Sequence, residues 1–357
     1  MTTSTPTSDL FFGLTPERVL AAVDASGLRT NPVCYPLNSF ENRVYEVELV
    51  DRSRAIVKFY RPGRWSADQI LEEHAFLADL AAEEVPVGTV RPFPDGSTLR
   101  EMDGIWYAIS DRRGGRAPDE LDEPLLRRLG RLVARVHNVG ARRAAVARPR
   151  LDADRYVRRN LAWLREHDAL PRATRDRYLD AAEAIAEIAD RRMAGVPVHR
   201  VHADLHLGNV LLRDGVLTLL DFDDFVTGPA VQDLWLVLPG RGADAERQRA
   251  ALLEGYRELR ELDGSTLDLI EPLRALRMIR YAAWIARRWN DPAFRIGWPQ
   301  FAEPDFWRRE TEDLEEQLAV IRGEAGPALD RARRDVGATE PAIELTNKDY
   351  FWDWEGD

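Results

Sequence analysis

Residues 202–209 read His-Ala-Asp-Leu-His-Leu-Gly-Asn, and a later apolar run ends in Leu220-Asp221-Phe222-Asp223-Asp224. An Asp followed five residues on by an Asn, with another Asp closing an apolar strand, suits phosphoryl transfer from a magnesium nucleotide. One carboxylate, Asp204, orients and deprotonates the attacking hydroxyl. The Asn209 amide oxygen and the Asp221 carboxylate hold the metal on the phosphates. Between them lie Val210–Leu212 and Val216–Leu220, joined across Asp214-Gly215, a strong hairpin signal. Closing that hairpin puts Asn209 and Asp221 within about one residue of facing each other, with Asp204 on the preceding loop.

The segment resembles the catalytic loop of the aminoglycoside phosphotransferase and protein-kinase-like superfamily, His-Gly-Asp-x-His-x-Gly-Asn, with Ala203 in place of the usual Gly. Pro36–Tyr45, Val57–Pro62, Asp68–His74, Gly228–Trp235, Ile270–Ala275 and Trp289–Phe294 extend the likeness to the bacterial stress-response Ser/Thr kinases of that superfamily. The resemblance spans most of the chain to about residue 320. It implies an α+β, bilobal protein-kinase-like fold, with a small β-rich lobe and a larger, mostly helical one. It also implies that Ser39 donates to phosphate and that Asp233 braces the catalytic loop from behind.

A zinc site competes for the same loop, because His199, His202 and His206 have the spacing of one helical face. That face cannot persist into Gly208 and a hairpin. Cys34, the only cysteine, is far away in sequence, and no His-Glu-x-x-His pattern exists. His202 and His206 are instead expected to brace the loop by hydrogen bonds. An acidic cluster can also be a solvated turn, but an apolar strand seldom ends in Asp221, Asp223 and Asp224 for that reason.

The elements that must position these groups are legible in part. Tyr45, Val47 and Leu49 alternate with Glu46 and Glu48 as a half-buried strand, and Ala55 to Phe59 forms the next, carrying Lys58. A lysine there reaches the α- and β-phosphates if a glutamate on a following helix holds it. Ser66 and Gln69 make a capping box, so a helix starts near Ala67. On it Ile70, Phe76, Leu77 and Leu80 share a face with Glu73 at its centre, while Glu72 points about a quarter turn away. A carboxylate amid apolar neighbours needs a cation, which selects Glu73 as the partner of Lys58.

The loop Asn38–Asn42 lacks the glycines of a protein-kinase phosphate loop, and Asn and Ser also make ordinary turns. Gly114-Gly115 reads as a hinge between lobes, or equally as a plain flexible linker. Beyond it, Leu125, Leu126, Leu129, Leu132, Val133 and Val136 repeat as an amphipathic helix ending near Gly140. Arg274, Arg277, Arg280, Arg287 and Arg288 punctuate a later helix; a solvated basic face is the commoner explanation and a substrate platform the less common one.

With 357 residues, the chain divides into a nucleotide-binding lobe (1–112), a catalytic lobe (113–324) and an aromatic and acidic extension (325–357). That extension ends in Tyr350-Phe351-Trp352-Asp353-Trp354 and is expected to dock onto its own lobe. Acidic residues outnumber basic ones 61 to 50, for a net charge of −11, which argues against a general nucleic-acid binder. One cysteine allows no internal disulfide. The first ten residues do not read as a signal peptide, and no run has the length of a membrane span. A cytoplasmic monomer is therefore expected.

The expected activity is ATP- and Mg2+-dependent phosphoryl transfer. Asp204 and Asp221 are the catalytic residues, Asn209 and Asp221 the metal ligands, and Ser39, Lys58 and Glu73 the nucleotide-positioning groups. The acceptor is expected to be a Ser or Thr hydroxyl on a protein, including this chain itself. The alternatives are a kinase of amino alcohols or aminoglycosides, and a nucleotide-binding pseudokinase scaffold.

Overall fold

The computed structural model describes residues 9–37, 39–118 and 120–324. The expectations placed on Asn38 and on the 325–357 extension lie outside the described residues.

Thr15 caps helix α1 (Pro16–Ala25), which leads into strands β1 (Thr30–Leu37), β2 (Arg43–Leu49) and β3 (Arg54–Phe59). Helix α2 (Ala67–Ala82) follows, then β4 (Arg100–Met102) and β5 (Ile105–Asp111). The strands form one antiparallel sheet in the order β1-β2-β3-β5-β4. The apolar face anticipated for β2 is present: Tyr45, Val47 and Leu49 are buried with Val57, Phe59 and Ile109, and Val19 and Val23 of α1 cover them, but Glu46 on the other face is buried too, between Arg54 and Arg112. The Ser66 capping box is present in both directions and fixes where α2 begins.

The second lobe is mainly helical. Its first helices are α3 (Glu123–Gly140), α4 (Arg159–Glu166), which continues a π-turn over Asp154–Arg158, and α5 (Arg175–Met193). Short strand β6 (His199–Val201) leads to the hairpin β7 (Val210–Arg213) and β8 (Val216–Leu219), and β9 (Val226–Gly228) pairs back with β6. Helices α6 (Val231–Leu236), α7 (Ala243–Arg257), α8 (Ile270–Arg288), α9 (Pro292–Gly297) and α10 (Phe306–Arg322) complete it. Helices α3 and α7 touch backbone to backbone: a Cβ on Gly130 would strike the Leu252 carbonyl, and one on Gly255 the Arg127 carbonyl.

Two features bind the lobes together. The apolar face of α2 (Phe76, Leu77, Leu80) packs not under the sheet but with Leu129 and Val133 of α3 and with Phe222 and Phe225. The proposed Gly114-Gly115 linker is pinned as well, because Arg116 and Leu212 exchange backbone hydrogen bonds at 3.2 and 2.8 Å. Gly115 (φ 133°) lies against the Leu212 carbonyl, where a side chain would crowd it. A freely flexible linker is therefore excluded at this point.

Candidate active site

The hairpin forms as its sequence demands. Asp214 (φ 49°) and Gly215 (φ 75°) both adopt left-handed backbone, the requirement of a type I′ turn, and Val210 faces Leu219. One step further Leu220 N–H donates to the Asn209 carbonyl at 2.9 Å, so Asn209 and Asp221 sit at the same end of the ribbon. Asp221 is itself left-handed (φ 56°), and its half-exposed carboxylate points into the cleft. Such backbone costs an L-residue energy, and strain of this kind collects at working sites.

Behind the loop lies Asp233, completely buried at the start of α6. Its two oxygens accept from His202 N–H (2.8 Å) and Ala203 N–H (2.7 Å), and His137 Nε2 approaches at 3.0 Å. Tyr256 meets the other nitrogen of His137 at 2.9 Å. These bonds hold Ala203 at φ 68°, so the Ala-for-Gly replacement carries a strain cost that similarity of size alone does not reveal. The histidines are not one helical face, since His199 is on β6. His202 spans the loop, with Nε2 2.8 Å from the Leu220 carbonyl and Nδ1 accepting from Asp204 N–H at 3.3 Å.

Asp204, Asn209, Asp221, Lys58, Glu73 and Ser39 all line one cavity of about 800 Å3 between the lobes. Val44, Ile56, Ala108 and Leu220 supply apolar walls at one end, fit for a flat base. Lys58 Nζ stands 3.4 Å from Glu73, 3.2 Å from Asp221 and 3.1 Å from Asp223. Burial alone would lower the lysine's pKa, but those carboxylates hold it well above its usual value. The same burial raises that of Glu73, against the pull of Lys58 and of Arg148 Nη2 at 3.0 Å.

Glu72 is no bystander. It accepts the backbone N–H groups of Val146, Ala147 and Arg148, the last at 2.6 Å. Two consecutive glutamates thus clamp α2 to the segment before α4, Glu72 through that segment's backbone and Glu73 through Arg148, while Glu73 also ties α2 to Lys58 of β3.

The cleft fits a hard divalent cation. Asn209 Nδ2 donates to the Asp204 carbonyl at 2.9 Å, which leaves the amide oxygen for another partner beside Asp221. Asp223 Oδ1 is buried without a hydrogen bond, although the Lys58 charge lies 3.1 Å away outside bonding geometry. Magnesium takes such oxygens from one or two carboxylates and completes its shell with water and phosphate. Among the described residues no group of three or more His, Cys, Asp or Glu forms a metal cage. Burial raises the pKa of Asp223, but Arg64 and Lys58 bring it down to about 2. Asp224 is fully engaged by Arg64 (2.7 Å) and Arg280 (2.6 Å), which makes it a structural ion pair.

The arginines of α8 correct an expectation. They do not form a solvated face: Arg277, Arg280, Arg287 and Arg288 line the cleft, and Arg277 Nη1 lies 2.8 Å from Asp204 Oδ1. Burial raises the Asp204 pKa, but Arg277 and His206 more than offset it, leaving the carboxyl below the usual carboxylate range. Sequence reasoning missed the Arg277–Asp204 pair. The available signal was the i, i+3 recurrence of arginine along one face of α8.

The sequence matches the model of the phosphotransferase enzyme family over residues 34–265. The chain belongs to that family. Stress response kinase A of Escherichia coli strain K12 is 39% identical over 315 residues, covering 87% of this chain and 95% of that protein. Serine/threonine protein kinase RdoA of Salmonella typhimurium is 38% identical over 314 residues, covering 87% and 94%. Among solved structures, an amicoumacin kinase in complex with AMP-PNP and Ca2+ superposes with a TM-score of 0.70 at 19% identity, covering 87% of this chain and 96% of that one. A microcompartment-associated aminopropanol kinase gives 0.63 at 20% identity, covering 85% and 96%. These structures share the bilobal kinase-like fold. This phosphotransferase is thus a kinase, with ATP as the donor its family implies. Among the described residues, no helix is long and apolar enough to cross a membrane.

Proposed function

We propose that this phosphotransferase is a magnesium-dependent Ser/Thr protein kinase of the stress-response type, with residues 1–112 as its nucleotide lobe and 113–324 as its catalytic lobe. The reading rests on one observation above the rest: Asp204, Asn209, Asp221 and Lys58 converge at one end of a single cavity, with Lys58 3.2 Å from Asp221. The protein acceptor is supported by the names of the relatives and by the arginine-rich end of the cleft.

In this mechanism the acceptor hydroxyl lies against Asp204, which takes its proton as the oxygen attacks the γ-phosphorus. The bond from phosphorus to the bridging oxygen breaks as the new one forms, and ADP leaves. Lys58, held by Glu73, orients the α- and β-phosphates, and Ser39, which lines the same cavity, would donate its hydroxyl to them. Asn209 and Asp221 would hold magnesium, which when bound supplies charge neutralisation on the phosphate oxygens.

Incubation with labelled ATP and Mg2+, alone and with protein, amino-alcohol and aminoglycoside acceptors, tests this. Metal-dependent label on serine or threonine is the expected result. Efficient antibiotic turnover with no protein labelling would reverse the choice of acceptor, and tight ATP binding without any transfer would mark a scaffold.

A further inference from the structure

Beyond Asp204, the cleft is lined by Arg155, Arg159, Asn160 and Trp163 from the π-turn and α4, and by the arginines of α8 with Tyr281 and Trp284. The carboxylates that border this end are already taken. Asp204 faces Arg277, Asp224 faces Arg280 and Arg64, and Glu41 receives Arg288 at 2.6 Å and Trp284 Nε1 at 2.6 Å. Arg159 turns to Asp154 on the outside. Two guanidinium groups remain. Among the described residues Arg287 meets the Arg159 carbonyl (3.4 Å) and the Trp163 ring (5.2 Å), and Arg155 lies over Trp65 at 5.5 Å. Neither forms an ion pair with a carboxylate among the described residues.

We infer that this end of the cleft is an anion-recognition subsite, in which Arg155 and Arg287 bind a negative group beside the acceptor hydroxyl. Under the protein-kinase reading, on which this identification of the substrate rests, that group is an acidic side chain flanking the Ser or Thr. An arginine fork binds a carboxylate through paired N–H donors, and inside a cleft such a charge-assisted contact is stronger than at an open surface. Crowding of positive charge agrees: burial lowers the pKa of both arginines, Arg288, Arg155 and Arg280 lower that of Arg287 further, and Arg280 lowers that of Arg155 against the opposing pull of Tyr156 and Asp224. An anion arriving here removes that penalty, whereas a cationic acceptor adds to it.

The test is a set of Ser peptides with acidic, neutral or basic flanks, together with a small hydroxyl compound carrying a phosphate, assayed with the full chain, ATP and Mg2+. The acidic peptide is expected to have a KM about tenfold below the neutral one and further below the basic one. Arg155→Ala with Arg287→Ala should raise its KM about tenfold, while calorimetric ATP affinity stays. Arg155→Glu with Arg287→Glu should turn the preference toward basic flanks. Wild-type preference for basic flanks, or discrimination unchanged by the double substitutions, would overturn the subsite and leave the protein-kinase reading standing. Arginine-dependent labelling of the small phosphate compound, with no peptide labelled, would keep the subsite and defeat that reading.

Discussion

At the donor end of the cleft Lys58 has three carboxylates within 3.4 Å, whereas at the acceptor end Arg155 and Arg287 form no ion pair among the described residues. The donor end is balanced before any substrate arrives, and its groups come from short motifs locked by the backbone. The acceptor end carries surplus charge on long side chains drawn from distant helices. One end fixes the chemistry, which every substrate shares. The other is left unsatisfied so that a particular acceptor can complete it.

The sharpest way to break this contrast is at the donor end. Asp204→Ala should lower turnover by roughly 10^3-fold or more, the scale of a lost general base. Asp221→Ala should abolish transfer as well, but through a different loss. Asp204→Ala should leave magnesium-ATP binding largely intact, and Asp221→Ala should remove its magnesium-dependent part. Calorimetric titration that found equal losses of affinity would undo the division of roles.

The clamp on α2 comes next. Lys58→Met should reduce turnover on the order of 10^2-fold, because the cation that orients the α- and β-phosphates is lost. Glu73→Gln should follow at about tenfold, since the neutral amide can no longer pair with Lys58 and Arg148. Glu72→Gln should instead cost about 1–2 kcal/mol of stability, from weakened charge-assisted bonds to three backbone N–H groups. Steady-state kinetics beside denaturant titration separates them. Comparable kinetic damage from Glu72→Gln would mean that position of α2, not the ion pair, governs activity.

The limits of the sequence follow the same division. The hairpin, Asp204, Asn209 and Asp221 were legible because spacing and turn chemistry act over a dozen residues or so. Glu73 was legible because a charge at the centre of an apolar face demands a partner. Arg277, Arg148 and Arg64 were not, because each reaches its carboxylate across a long stretch of chain, and helical periodicity identifies a face without saying what it faces. The Glu72 role depended on the path of residues 146–148, which no local pattern announces. Packing of α2 into the helical lobe was likewise invisible, since an apolar face looks the same whichever core receives it.

The support behind the loop bears on stability and not on the chemistry itself. Asp233→Ala should cost roughly 3 kcal/mol, because two buried backbone N–H groups lose their only acceptor among the described residues. Ala203→Gly should move the other way. Relief of left-handed strain is worth about 1–2 kcal/mol and the added freedom of the unfolded chain takes back about 0.4–1, so a net gain of about 0.5 kcal/mol is expected. Denaturant midpoints for both variants measure this. A loss of stability in Ala203→Gly would mean the methyl packs better than its backbone suffers.

The last test joins the two ends of the cleft through Arg277, which comes from the acceptor side yet touches the donor-side base at 2.8 Å. Burial pushes the Asp204 carboxyl up, and Arg277 is the largest influence holding it down. Because the carboxyl lies below the usual range, the base should stay ionised and active from neutral pH down to that depressed value, losing activity only as it takes up a proton. Arg277→Gln keeps a hydrogen-bond donor but removes the charge, so burial then dominates and the pKa rises. The acid limb of the kcat/KM profile should therefore move to higher pH, while the loss at neutral pH stays within about tenfold. A structural role for Arg277 would lower the whole profile without moving its limb. An unmoved limb would thus separate Arg277 from the base and return it to the acceptor end of the cleft.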